Sequence, residues 1–169
     1  SIILDVATGT GDVVFEILEN NNIKIIGLDY AEKMIDVAKE KAHSKNLSDV
    51  TEFIHGDAEN LPFNNSQFNS ISISFGFRNI GNYERALSEF NRVLKDKGKL
   101  SILEFSEPKS KLFNIMYQLY FRYILPKVGV LISKSDGYKY LPESVEHFPS
   151  RSEVANMISC SGFTDININ

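Results

Sequence analysis

The chain of 169 residues has one cysteine and no tryptophan. A single thiol permits no intrachain disulfide and no cysteine metal cluster. Cys160 falls on the apolar side of a predicted helix, which reads as buried filler. No run of Lys or Arg exceeds two residues, and the net charge is −4. The concentrated basic surface that nucleic acid would need as main partner is therefore missing. No signal peptide, internal repeat or low-complexity tract is visible. The longest apolar region, around 112–125, is interrupted by Asn114, Gln118 and Arg122 and followed by Pro126 and Lys127, which argues against a transmembrane span. There is no initiator Met, and the chain stops within what reads as a strand, so a piece truncated at both ends is expected. The length and the apolar and charged fractions fit one globular domain with a substantial core.

The rest of the chain is organised around Asp5-Val6-Ala7-Thr8-Gly9-Thr10-Gly11-Asp12. An apolar run, Ile2-Ile3-Leu4, enters it and a helical pattern from Val13 to Leu18 leaves it, giving strand, tight turn and helix start. Gly9 and Gly11 let the backbone bend and approach a ligand with no Cβ in the way. The first N–H groups of the helix favour a negative group at that spot. A nucleotide-like ligand at the carboxyl end of the first strand is the resulting expectation. Asp29 ends the second apolar strand, roughly 20 residues past the glycines, where a ribose-binding acid belongs. The third glycine of a dinucleotide fingerprint is absent, because Val14 stands there, and this disfavours NAD.

The remaining elements follow from periodicity. Strands are predicted over 1–6, 23–28, 50–55, 68–75 and 100–105, and helices over about 12–20, 31–45 and 83–95. Gly98 reads as the C-cap of the last of these. Ser150 and Glu153 form a capping box for a helix closed by Gly162, and residues 163–169 begin a sixth strand. Strand and helix alternate five times, so a parallel sheet covered on both faces, with right-handed crossovers, is the natural α/β architecture. Residues 109–149 break the alternation. Their apolar and aromatic side chains suit a helix packed on the core, a cover over an apolar ligand that touches a membrane surface, or both.

Four sites follow successive strands at the carboxyl edge of that sheet: the glycine turn, Asp29, Asp57 with Ala58, and Ser74-Phe75 leading to Arg78. Asp29 alone could cap a helix and Asp57 alone could serve a turn. Two acids closing successive strands beside a glycine turn favour a ligand site.

The motif Asp5-x-Ala7-x-Gly9-x-Gly11 resembles the first motif of the class I, Rossmann-like S-adenosylmethionine-dependent methyltransferases. Residues Gly56-Asp57-Ala58-Glu59-Asn60-Leu61-Pro62-Phe63 resemble their adenine loop. Three further segments are similar to one family within that class, the ubiquinone/menaquinone C-methyltransferases. These are Ile73-Ser74-Phe75-Gly76-Phe77-Arg78-Asn79, Leu103-Glu104-Phe105-Ser106-Glu107-Pro108 and Tyr138-Lys139-Tyr140-Leu141-Pro142-Glu143-Ser144-Val145. The likeness spans essentially the whole chain. It departs at Lys95-Asp96-Lys97-Gly98, where the family uses Lys-Pro-Gly-Gly, and in lacking the family's N-terminal helical segment and final strand.

The resemblance implies S-adenosylmethionine as cofactor, no metal, and a polyprenylated quinol as substrate (demethylmenaquinol or 2-methoxy-6-polyprenyl-1,4-benzoquinol). It implies that Gly9, Thr10 and Gly11, with Ala7, line the methionine part. Asp29 would hold both ribose hydroxyls, with Tyr30 beside it. Asp57 would accept from the adenine amino group, with Ala58 adjacent, and Ser74 would lie under the sulfonium. Arg78 is the candidate for stabilising a developing phenolate, its alternative being an ion pair with Glu104 or Glu143. Asp12 and His147 are the candidate bases. Asn79, Tyr138, Tyr140 and Glu143 are the candidate contacts to the quinol ring. The expected chain is a single domain, 1–169, with 109–149 a helical insertion over the substrate site and 112–132 offering an apolar groove for the prenyl tail. Expected location is cytoplasmic, peripheral on the inner membrane, or on the matrix side in a mitochondrion. A homodimer or a quinone-synthesis complex would be the assembly. Three alternatives remain: methylation of oxygen or nitrogen in a small metabolite, a silent scaffold subunit, and a nicotinamide-dependent reductase.

Overall fold

A computed structural model describes residues 1–19, 23–105 and 148–168. The chain divides into two compact units, Ser1–Glu104 with Ala155–Asn169, and Phe105–Val154. The first unit contains a five-stranded parallel sheet: β1 (Ile2–Val6), β2 (Lys24–Asp29), β3 (Thr51–His55), β4 (Phe68–Ser74) and β5 (Leu94–Leu103). The spatial order is β3-β2-β1-β4-β5. This is the expected Rossmann-like arrangement.

The central strands β1 and β2 read as apolar runs because both sheet faces are covered there, whereas in β4 Ile71 and Ile73 alternate with serines. Leu4, Val6, Ile25, Leu28, Ile71 and Ile73 are all essentially inaccessible to solvent. The helices α1 (Asp12–Glu19) and α2 (Glu32–Ser44) place Val14, Phe15, Ile35, Ala38 and Ala42 in one cluster with Ile25 and Phe53. The helix α3 (Tyr83–Val93) buries Ala86, Leu87, Phe90 and Val93, which share one helical face. Strand order reverses between β1 and β4, so right-handed crossovers carry α3 to the opposite face from α1 and α2. The same reversal opens a crevice at the carboxyl ends of β1 and β4.

Several boundaries differ from expectation. The α3 helix stops at Val93 because Leu94 turns extended (ψ 140°) and pairs with Phe68. The strand therefore begins six residues before the predicted Leu100, and its register shifts between Phe68 and Ser70. Gly98 is not the helix cap; Lys97 takes the left-handed conformation in that segment, with φ +57°. Residues 163–168 form no strand, since they find no ladder partner among the described residues.

The helix α4 (Arg151–Cys160) starts with the expected capping box. The Ser150 amide donates to Glu153 Oε2 at 2.8 Å, and the Glu153 amide reaches Ser150 Oγ at 3.4 Å. Cys160 is exposed rather than buried filler, because α4 buries none of its residues and has no core stripe for the thiol to join. No helix among the described residues is long and apolar enough to cross a membrane.

Candidate active site

A cavity of about 450 Å³ opens at the carboxyl edge of β1, β2 and β4. That volume falls in the usual range for small-molecule sites. The loop after β1 contributes Ala7, the end of β2 contributes Asp29 and Tyr30, and the loop after β3 contributes Gly56, Asp57, Ala58 and Glu59. Beyond β4 come Phe75, Gly76 and Asn79, and then Ile80 and Gly81. Parallel strands ending side by side bring these loops together although they lie up to 74 residues apart in sequence, from Ala7 to Gly81.

Asp29 ties the site to the glycine turn. Its Oδ2 accepts from the Gly9 amide at 2.8 Å and its Oδ1 from the Ala31 amide at 2.8 Å. Each oxygen keeps a second lone pair for a ligand hydroxyl. Gly9 and Gly11 adopt φ of +56° and +81°, the left-handed region a Cβ resists. A Cβ built on Gly9 would meet nothing within 4 Å, so that side of the turn is open. Asp57 Oδ1 accepts from the Glu59 amide at 2.9 Å, which folds the loop back on itself. Glu59 then anchors the loop to α3, its Oε1 accepting from the Asn82 amide and its carbonyl from Arg85 Nε, both at 2.9 Å.

On the other wall, Ala7 and Phe75 are both left-handed, with φ of +54° and +57°. A Cβ on Gly76 would lie 2.3 Å from the Ala7 Cβ, so the turns after β1 and β4 can approach this closely only with glycine there. Phe75 keeps 44% of its surface exposed. Behind it, Arg78 is buried. Its Nη1 donates to Glu104 Oε1 at 2.6 Å and to the Phe75 carbonyl, and its backbone amide donates to Glu104 Oε2 at 3.1 Å. Of the two acids named as ion-pair partners for Arg78, Glu104 is therefore paired with it, while Glu143 lies outside the described residues.

Of the residues predicted for the site, Ala7, Asp29, Tyr30, Asp57, Ala58 and Asn79 line this one cavity. Gly9, Thr10 and Gly11 form the adjacent turn, and Ser74 lies at the end of β4 opposite Leu103, outside the lining. Asp12 sits on the surface in a network instead. Lys41 Nζ donates to Asp12 Oδ1 at 2.7 Å and to Thr10 Oγ1 at 2.9 Å, while Thr10 Oγ1 donates to Asp12 Oδ2 at 2.8 Å. The Lys41 and Thr10 hydrogen bonds hold the Asp12 carboxyl below its usual range. His147, Tyr138, Tyr140 and Glu143 lie outside the described residues, as do residues 109–147 of the expected insertion 109–149.

Local sequence pattern does not reveal the roles of three residues, Glu59, Phe75 and Asp5, although each stands within a motif. Asp5 is buried in the middle of β1, where Ser72 Oγ donates to its Oδ1 at 2.6 Å. Burial raises the Asp5 carboxyl above the ordinary range. The nearby Thr8 hydroxyl softens that rise, yet Thr8 Oγ1 meets no partner in hydrogen-bonding geometry among the described residues.

The cavity itself is acidic. Asp29, Asp57 and Glu59 line it, with no Lys or Arg among the described lining residues. Such a site favours a cation and disfavours a pyrophosphate.

The sequence matches the ubiE/COQ5 methyltransferase family over residues 1–169. The chain belongs to that family. The demethylmenaquinone methyltransferase of Deinococcus radiodurans is 44% identical over 163 residues, covering 95% of this chain and 67% of the relative. The ubiquinone/menaquinone biosynthesis C-methyltransferase UbiE of Geotalea uraniireducens is 40% identical, covering 97% and 71%. The crystal structure of a SAM-dependent methyltransferase from Aquifex aeolicus superposes with a TM-score of 0.68 at 20% identity, covering 95% of this chain and 71% of that one, which shows the shared fold.

As an S-adenosylmethionine-dependent methyltransferase, the protein must accommodate a ligand with a sulfonium, ribose hydroxyls and an adenine amino group. The residues present fit it. Carboxylates at two strand ends are acceptors for hydroxyl and amino donors, the acidic lining suits a cationic sulfur, and the open face of Gly9 leaves room beside the turn.

Proposed function

We propose that this methyltransferase transfers a methyl group to a ring carbon of a polyprenylated quinol; relatives of the chain carry the names demethylmenaquinone methyltransferase and ubiquinone/menaquinone biosynthesis C-methyltransferase. The observation that carries the reading is the meeting of Asp29, Asp57 and the Ala7–Gly76 wall in one acidic cavity beside the glycine turn.

In this reading Asp29 accepts from the ribose hydroxyls while its bonds to Gly9 and Ala31 keep both oxygens oriented. Asp57, braced by the Glu59 amide, accepts from the adenine amino group. Gly9, Thr10 and Gly11 line the methionine part, with Ser74 nearby. Bound S-adenosylmethionine supplies an activated methyl on a sulfonium. The chain's task is to hold the quinol carbon in line with it, and such positioning supplies roughly 7–11 kcal/mol of a barrier. Phe75, Ile73 and Ile80 give the cavity an apolar wall suited to an aromatic ring. Because the Arg78 charge is matched by Glu104, we assign Arg78 to holding this wall rather than to meeting a phenolate. Because Asp12 is engaged by Lys41, His147 is the stronger candidate base. Asn79, Tyr138, Tyr140 and Glu143 are proposed to contact the quinol ring. The apolar sequence 112–132 is proposed to take the prenyl tail and to meet the membrane surface.

The test is incubation with deuteromethyl S-adenosylmethionine and either demethylmenaquinol or 2-methoxy-6-polyprenyl-1,4-benzoquinol, followed by mass spectrometry. A labelled methyl on a ring carbon supports the reading. Label found only on oxygen or nitrogen, or none transferred to either quinol, overturns it.

A further inference from the structure

Phe75 occupies a backbone conformation that a bulky L-residue seldom adopts, at φ +57°. Something must hold it there. Its amide donates to the Leu103 carbonyl at 2.8 Å, and its own carbonyl accepts from Arg78 Nη1. The same Nη1 is bonded to Glu104 Oε1 at 2.6 Å, and Glu104 Oε2 receives the Arg78 amide at 3.1 Å. The side chains of this pair are only 4% and 5% exposed. Glu104 follows Leu103 directly, so the end of β5 grips Phe75 from both sides, by the Leu103 carbonyl and through Glu104 and Arg78. The short 3₁₀ turn Phe77–Asn79 that carries Arg78 is itself fixed. Phe77 is fully buried and stacks on Tyr83 at 5.1 Å, and Tyr83 Oη donates to the Arg78 carbonyl at 3.2 Å.

We propose that Arg78 and Glu104 are positioning residues, a buried brace that locks Phe75 left-handed so that its half-exposed ring forms the wall facing the aromatic acceptor. Phe75 is then a specificity-determining residue for the ring, and Arg78 acts through it. The identity of the acceptor rests on the quinol reading above; the brace itself does not.

Removing Arg78 alone takes the ion-pair partner of a buried carboxylate and invites misfolding. The test therefore uses Arg78→Met combined with Glu104→Leu, which deletes both charges together, beside Arg78→Lys and Phe75→Ala. Hydrogen exchange at the Phe75 amide is read first, with no ligand present. The brace predicts about tenfold faster exchange in the paired variant, the effect of roughly one lost hydrogen bond, with the Ile73 amide unchanged. In turnover, the paired variant and Phe75→Ala are expected to raise the acceptor KM at least about fivefold, with smaller changes in kcat. Arg78→Lys, which retains a charge for Glu104, is expected to recover part of that loss. Unchanged Phe75 exchange together with a collapse of kcat would overturn the proposal and return Arg78 to direct chemistry. A wild-type protein that methylates no quinol, yet shows the exchange difference, would remove the acceptor assignment and leave the brace standing.

Discussion

Asp29 Oδ2 and the Gly9 amide lie 2.8 Å apart, a hydrogen bond across 20 residues of sequence. The acid that ends β2 thereby holds the turn that ends β1. One carboxylate both shapes the crevice and presents its remaining lone pairs to it. A change at either residue is expected to disturb the other.

The close approach of the turns after β1 and β4 gives a reciprocal prediction. Gly76→Ala places a methyl 2.3 Å from the Ala7 Cβ, and neither backbone can yield without moving the cavity wall. The expected cost is about 1–3 kcal/mol of stability, as for other overpacked sites, with loss of turnover. Adding Ala7→Gly removes the opposing methyl and relieves a residue at φ +54°, so the double variant should recover most of both losses. Thermal denaturation and methyl-transfer rates of the two single variants and the double variant check this.

Asp5 sets a pH dependence of definite sign. Burial raises its carboxyl in the folded chain, so the native state binds the proton more tightly than the unfolded chain does. Its penalty is absent below the unfolded value near 4 and grows as pH rises through the window up to the raised folded value. Asp5→Asn keeps an acceptor for Ser72 Oγ and removes the titration. Urea denaturation of both proteins between acid and neutral pH should show the variant gaining on the wild type as pH increases. A difference that stays flat would mean that Asp5 titrates alike in both states.

Asp12 behaves oppositely. Lys41 and Thr10 lower its carboxyl, so its contribution is present above the ordinary carboxylate value and is lost as pH falls through the folded one. Lys41→Met should weaken this acid-side dependence, leaving the Thr10 part of it, and raise the Asp12 titration measured by NMR. The pair is exposed, so the loss of stability at neutral pH should stay within about 1 kcal/mol. A larger effect on S-adenosylhomocysteine affinity than on stability would show that Lys41 steadies the glycine turn through Thr10.

Much of this arrangement could be read from local pattern. The apolar run that ends in Asp29, and the helical spacing of Ala86, Leu87, Phe90 and Val93, are visible within a few residues of sequence. Parallel order then brings Ala7, Asp29, Asp57, Ala58 and Asn79 to one edge. What escaped depends on distant partners. Glu59 is positioned by Asn82 and Arg85, more than 20 residues away. Phe75 carries no glycine to betray its left-handed backbone, which is held by residues 78, 103 and 104. Leu94 continues the helical apolar pattern, but Phe68 draws it into the sheet. Cys160 follows a spacing that suggests a buried face, whereas α4 has none.

The central claim is that the acidic cavity beside the glycine turn holds the adenosyl ligand by its two strand-end carboxylates. Calorimetric titration of S-adenosylhomocysteine into the wild type, Asp29→Asn and Asp57→Asn tests it most directly. Saturable one-to-one binding by the wild type, weakened about tenfold or more by each substitution, is the predicted result, each loss being that of a charged hydrogen bond. Wild-type binding that both substitutions leave unchanged would contradict it.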